Sequence, residues 1–143
     1  MSFWDSSALV AVLANEPATP RVAPLLRSDP AVVVWWATPV ECASALARRG
    51  REGILTARQL QVFLRSLRAA GEDWQVVEPA AAIRDAAIRL LMVHPLRAGD
   101  ALQLAAALAW ADGRPNGRHF VTLDDRLAGV ARLEGFTALP ESP

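Results

Sequence analysis

The chain opens Ser2-Phe3-Trp4-Asp5-Ser6-Ser7-Ala8-Leu9-Val10. The first three residues suit a very short apolar strand. A carboxylate ends it, two hydroxyls follow, and a helix begins. A strand that stops on an acid and turns into a helix N-terminus places that acid at the carboxyl edge of a sheet. Open α/β sheets build their sites on that edge. Three more acids are placed in the same manner: Glu41, Asp100 and Asp124.

The rest of the chain follows the opening pattern. Ser7 to Glu16 reads as a helix with Leu9, Val10, Val12 and Leu13 on one side. A short second helix covers Arg21 to Arg27. Ala31 to Trp36 is β-branched and aromatic throughout, too short for a helix and apolar on both faces, which suits a buried parallel strand. Trp35 and Trp36 then point to opposite faces, so both are expected to be covered. Thr38-Pro39-Val40-Glu41 has the form of a capping box that opens a helix running to Arg49.

Thr56 to Ala70 is a further helix, Trp74 to Val77 a short strand, and Ala80 to Val93 a helix closed by His94-Pro95. Leu96 to Asp100 reads as a connector with an acid at its end, followed by an apolar helix over Ala101 to Trp110. His119 to Leu123 is an apolar strand that ends at Asp124-Asp125. Arg126 to Leu133 forms a helix capped by Gly135, and Phe136 to Leu139 a last strand. Strands alternating with helices predict an α/β fold with a mainly parallel sheet covered on both faces. The 143 residues are read as a single domain, 1–143, without repeat or linker.

Composition excludes several classes. The single cysteine, Cys42, permits neither an internal disulfide nor a thiolate metal cluster. There is no lysine, so neither a P-loop nor a Schiff-base enzyme is possible. No apolar run reaches the roughly 18–20 residues of a membrane span, and no secretory signal is visible, so a cytoplasmic protein that contacts no membrane is expected. Fifteen acids balance fifteen arginines, whereas a generic nucleic-acid binder is more basic. Setting four acids against a bound cation leaves eleven acids against those fifteen bases, a modest positive excess able to hold a polyanion.

Each acid alone has an ordinary explanation as a helix-start residue, worth about 0.3–1 kcal/mol against the helix dipole. Together they do not. A like-charge pair ~4 Å apart costs about 4 kcal/mol at an effective dielectric near 20. Four carboxylates on one edge therefore need protons or a cation. Oxygen ligands alone favour a hard ion, Mg²⁺ or Mn²⁺, over zinc, and such ions suit phosphoryl chemistry. His94 and His119 lack the paired spacing of a zinc helix, and Cys42 reads as a small packed thiol.

Phe3 to Val10, Thr38 to Glu41, Leu96 to Ala105 and Phe120 to Leu127, in this order, resemble the motifs of PIN-domain proteins, and among them the VapC-like toxin ribonucleases of bacterial toxin–antitoxin pairs. The resemblance implies a PIN-like three-layer α/β/α fold. It also implies a metal-dependent endoribonuclease that forms a homodimer and is inhibited by a cognate antitoxin. Asp5, Glu41 and Asp100 match the family's three core acids. Asp124 matches its more variable fourth; the Asp124-Asp125 doublet leaves that register open, and Asp124 is preferred because it follows Thr122-Leu123 directly. Ser6 and Thr122 match positions near the site that touch phosphate or water, and Arg97 lies where it would approach the scissile phosphate.

Two other classes compete with this reading. An aspartate-nucleophile phosphatase or receiver wants Asp-x-Asp or a late lysine, and neither is present. A non-catalytic module that binds RNA or protein has to explain an uncompensated carboxylate cluster. The helices around Val62 and Ile83 are the candidate dimer surfaces.

Overall fold

Phe3 and Trp4 are both fully buried, yet they lie in two different cores. This follows from the two-residue period of a strand covered on both faces. The computed structural model describes residues 1–142. Its elements run β1 (Ser2–Trp4), α1 (Ser6–Ala14), α2 (Thr19–Ser28), β2 (Val32–Trp35), α3 (Thr38–Arg51), α4 (Ala57–Gly71), β3 (Gln75–Val77), α5 (Ala81–Val93), α6 (Ala98–Trp110), β4 (His119–Val121), α7 (Asp125–Leu133) and β5 (Thr137–Leu139).

The five strands form one sheet in the order β3-β2-β1-β4-β5. Every pairing is parallel, with Phe3 opposite Val33 on one side and Phe120 on the other. Phe3, Val33, Trp35 and Phe120 face α5, α6 and α7; Phe3 and Phe120 stack at 5.4 Å between centroids. Trp4, Val32, Val34 and Val121 face α1, α2, α3 and α4. The result is the expected three-layer α/β/α arrangement, and the sheet is wholly parallel. No helix among the described residues is long and apolar enough to cross a membrane.

Several local expectations are corrected. Thr38 is not a cap: Ala37 takes the N-cap position without a side-chain bond. Thr38 is buried, and its hydroxyl is paired with Gln103 on α6 instead. The capping box of this fold lies one helix later. Thr56 Oγ1 accepts from Gln59 N at 3.1 Å, and Gln59 Oε1 accepts from Thr56 N at 2.9 Å.

Asp100 belongs to the first turn of α6, which starts at Ala98, rather than to a connector. Trp36 lies beyond the end of β2, in a turn, and is 55% exposed, so the strand's alternation does not cover it. Ile83 itself is buried in the core, whereas Ile88 and Met92 on the same helix α5, and Val62 on α4, are exposed. Helix α1 stops at Ala14 because Asn15 turns left-handed (φ 48°), and Gly135 follows the cap residue Glu134 with φ 105°.

The reciprocal bonds at Thr56 give a direct test. Thr56→Ala is expected to lower stability by about 1 kcal/mol, the usual cost of an exposed N-cap. Urea denaturation reads this as a lower midpoint at unchanged slope. An unchanged midpoint would mean that water replaces the box without loss.

Candidate active site

β1 is the central strand; the chain winds outward to β2 and β3 on one side and then to β4 and β5 on the other. The order therefore reverses between β1 and β4, and in a parallel sheet the crevice beyond such a reversal is where ligands sit. Asp5 ends β1 at this point and caps α1, accepting from Ser7 N. Its backbone N–H donates to the Val121 carbonyl of β4 at 2.9 Å, which fixes the residue to the edge.

Asp5 is 3% exposed. Its Oδ2 accepts from Ser7 Oγ at 2.6 Å, Thr122 Oγ1 at 2.9 Å and Ser7 N at 3.3 Å. These donors come from the start of α1 and the end of β4. Thr122 Oγ1 in turn accepts from Asp124 N at 3.0 Å, and Ser7 Oγ accepts from Leu123 N at 2.9 Å. Ser6 Oγ lies 3.4 Å from both Asp5 Oδ1 and Glu41 Oε2, bridging the two acids.

Glu41 stands in the first turn of α3, where the helix dipole favours a negative side chain. Its Oε1 accepts from Gln103 Nε2 at 3.2 Å. Burial is the main force on it and, helped by the charges of Asp5 and Asp100, lifts its pKa to about 7 against the hydrogen bonds from Gln103 and Ser6. Asp100 is raised as well. Burial leads, the charges of Asp124 and Asp5 add to it, and Arg97 and Arg126 oppose it. Asp100 accepts no hydrogen bond from the described residues. Asp124 caps α7, accepting from Leu127 N at 3.0 Å through Oδ1. Its neighbour Asp125 is exposed in the first turn of α7.

The sheet edge thus sets Asp100 within electrostatic reach of Asp5, Glu41 and Asp124, and Glu41 within reach of Asp5. It does not gather them into a closed cage: among the described residues, no three histidine, cysteine, aspartate or glutamate side chains converge as a ready cation site. The donors are all carboxylate oxygens. They suit a hard ion held through one or two carboxylates, with water in its other positions, as Mg²⁺ is commonly held.

Beside the acids runs an open cleft of about 620 Å³, lined by Ser6, Glu41 and Asp100 and rimmed by Arg48, Arg49 and Arg97. Arg97 is exposed at the N-cap position of α6. Thr122 is buried, so its hydroxyl serves Asp5 rather than the cleft. Cys42, one residue past Glu41, has its thiol pushed up to about 12 by burial and by the nearby charges of Asp5 and Glu41.

Sequence reasoning missed Gln103, Ser7 and Arg126. Gln103 had a readable signal: it is polar within Leu102-Gln103-Leu104, and it follows Asp100 by three residues, on the same helix face.

The PIN domain family matches residues 3–133. The chain belongs to this family. Its architecture is similar to solved structures. A toxin–antitoxin complex from Klebsiella pneumoniae aligns with TM-score 0.65, covering 91% of this chain and 92% of that chain at 14% identity. The crystal structure of a Pyrobaculum aerophilum protein aligns with TM-score 0.67, covering 96% and 88% at 20% identity. At these identities the likeness is one of fold. No curated protein sequence matches this PIN domain.

The raised pKa of Glu41 sets a pH dependence for the PIN domain. The folded state holds the Glu41 proton up to about pH 7, whereas an ordinary glutamate releases it near 4.5. Between those values the native state binds more protons than the unfolded one, so this contribution to stability falls as pH rises. Without divalent ions, Glu41→Gln should be as stable as the natural protein near pH 4.5 and more stable at pH 8. Urea melts at the two pH values check it; a variant less stable at pH 8 would contradict the raised pKa.

Proposed function

We propose that this PIN domain is a Mg²⁺- or Mn²⁺-dependent endoribonuclease, the VapC-like toxin of a toxin–antitoxin pair, acting in the cytoplasm as a homodimer. One observation carries the catalytic reading. Four carboxylates from separate elements lie along the sheet edge around its switch point, and two of them, Glu41 and Asp100, are destabilised as anions by burial and by their neighbours. The toxin reading is supported by the fold it shares with the Klebsiella pneumoniae toxin–antitoxin complex. Exposed Ile88 and Met92, one turn apart on α5, support a second copy as partner.

The chemistry that a bound divalent ion supplies at such a site is a lowered pKa for attacking water and neutralised charge at phosphorus. The chain's own residues then have separable tasks. Asp5, Glu41, Asp100 and Asp124 supply the oxygen donors. Ser7 and Thr122 hold Asp5 through Oδ2 and leave Oδ1 with only the long Ser6 contact. Gln103 holds Glu41 through Oε1, leaving Oε2 with only Ser6. Glu41, protonated part of the time near neutral pH, would have to release that proton to serve as an oxygen donor to a cation. Arg97, exposed on the cleft's rim, is the cation nearest at hand for the scissile phosphate; Ser6 is the hydroxyl within reach of the same region.

The open spacing of the acids favours one alternative, a PIN module that binds RNA or protein without cutting. Incubating an RNA pool with Mg²⁺, Mn²⁺ or EDTA, beside Asp100→Asn, separates the two. Asp100 is the cleanest target, because it accepts no hydrogen bond whose loss would disturb the fold. Metal-dependent cutting is expected, with a loss of more than about a hundredfold in the variant. The variant should melt no lower than the natural protein in EDTA, since a repulsion is relieved. Cutting that survives both EDTA and the substitution would sink the four-acid site, and clean protein that binds RNA but never cuts it would favour the module.

A further inference from the structure

Three arginines rim the cleft beside the acids: Arg48, Arg49 and Arg97. They are not equivalent. Arg49 is already committed: its Nε is paired with Glu16, and its Nη1 donates to the Ala45 carbonyl at 3.1 Å. Arg97 directs its charge at Asp100. Arg48 is exposed and has neither an ion pair nor a side-chain hydrogen bond among the described residues. It also has a definite register. Glu41, Ser44 and Arg48 are spaced by three and four residues, which puts them on one face of α3, and all three line the cleft. Seven residues at ~1.5 Å rise set Arg48 about 10 Å along the helix from Glu41.

We propose that Arg48 grips a backbone phosphate of the bound RNA strand at a point away from the cut, so that α3 acts as a ruler whose first turn carries Glu41 and whose later turn carries the anchor. The proposal rests on the ribonuclease reading. The separation of Arg48 from Glu41 along the helix sets the gripped phosphate apart from the one held near Glu41, further along the same strand. Ser44, exposed between them on the same face, offers a hydroxyl along the path. The guanidinium fork suits a phosphate's paired oxygens better than an ammonium does. The contact has no base specificity, because it reads only the backbone.

The test is binding rather than cleavage. Full-length Asp100→Asn protein is titrated with fluorescently labelled single-stranded RNA oligonucleotides of two unrelated sequences across a range of salt, and the slope of log affinity against log salt is compared with that of the added variant Arg48→Ala. Each phosphate contact contributes about 0.7 to the slope for a single strand. Arg48→Ala is expected to weaken binding of both sequences alike and to reduce the slope by about 0.7. Arg48→Lys should recover the slope, since it keeps the charge. Arg118→Ala is the control: this residue packs over Trp110 just before β4, at the other end of the strands from the acids, and should change nothing. If RNA binds and Arg48→Ala leaves the slope unaltered, Arg48 is not the anchor and the ribonuclease reading stands. If no RNA binds even to the protein with Arg48 intact, both are overturned.

Discussion

Asp5 is buried at the one place where the sheet changes direction, and its Oδ2 is held by donors from α1 and from the residue after β4. Burying a carboxylate without such donors is costly. Hydroxyls therefore have to arrive from both elements, and their arrival sets the geometry of the whole edge. Ser7 meets Asp5 and also accepts from Leu123 N; Thr122 meets Asp5 and also accepts from Asp124 N. The loop that carries Asp124 is thus hung from the same hydroxyls that satisfy Asp5. A change at Asp5 would reach three elements at once, whereas a change at Asp100 reaches no bonded partner.

The acids share a pattern. Asp5, Glu41 and Asp124 each commit one oxygen to the protein's own donors, respectively Ser7 with Thr122, Gln103, and Leu127 N. The second oxygen of each has at most a long serine contact. Tethering by one oxygen fixes a carboxylate's position while keeping donor capacity open. It also leaves the mutual repulsion unanswered: burial first, and the neighbouring carboxylates in addition, make Glu41 and Asp100 hold their protons more tightly than is usual for a carboxyl group. Protons and a cation are alternative solutions to the same electrostatic problem, and at this edge Glu41 is the group that holds a proton close to neutral pH.

The sheet was legible from residue type because every strand that matters is apolar on both faces. Val32 to Trp35 and Phe120-Val121 have no other reading than buried parallel strands. The acids were legible for a related reason: a charge directly after such a run, or inside a helix as apolar as α6, has no solvent face to explain it. What the sequence concealed depends on contacts between distant positions. Thr38 looked like a cap because capping is a local pattern; its hydroxyl goes to Gln103, 65 residues away. Trp36 looked covered because alternation was carried one residue beyond the end of the strand. Which of three clustered arginines stays free depends on Glu16, which only folding brings to Arg49.

That last contact bears on how a chain of zero net charge approaches a polyanion. Neutrality overall does not mean neutrality along a cleft. Around the acids, Glu16 cancels Arg49, while Arg97 and Arg126 temper Asp100. The positive charges next to the carboxylates are therefore largely answered by them. Apart from Arg97 on the rim, the cationic character left open on the cleft wall lies further along, where α3 has left its acidic first turn and carries Arg48. This polarity has a second consequence. An acid in the first turn and arginines in the last are both favoured by the helix dipole, so α3 stabilises itself with the same charge order that sets Glu41 at the sheet edge and Arg48 further along the cleft.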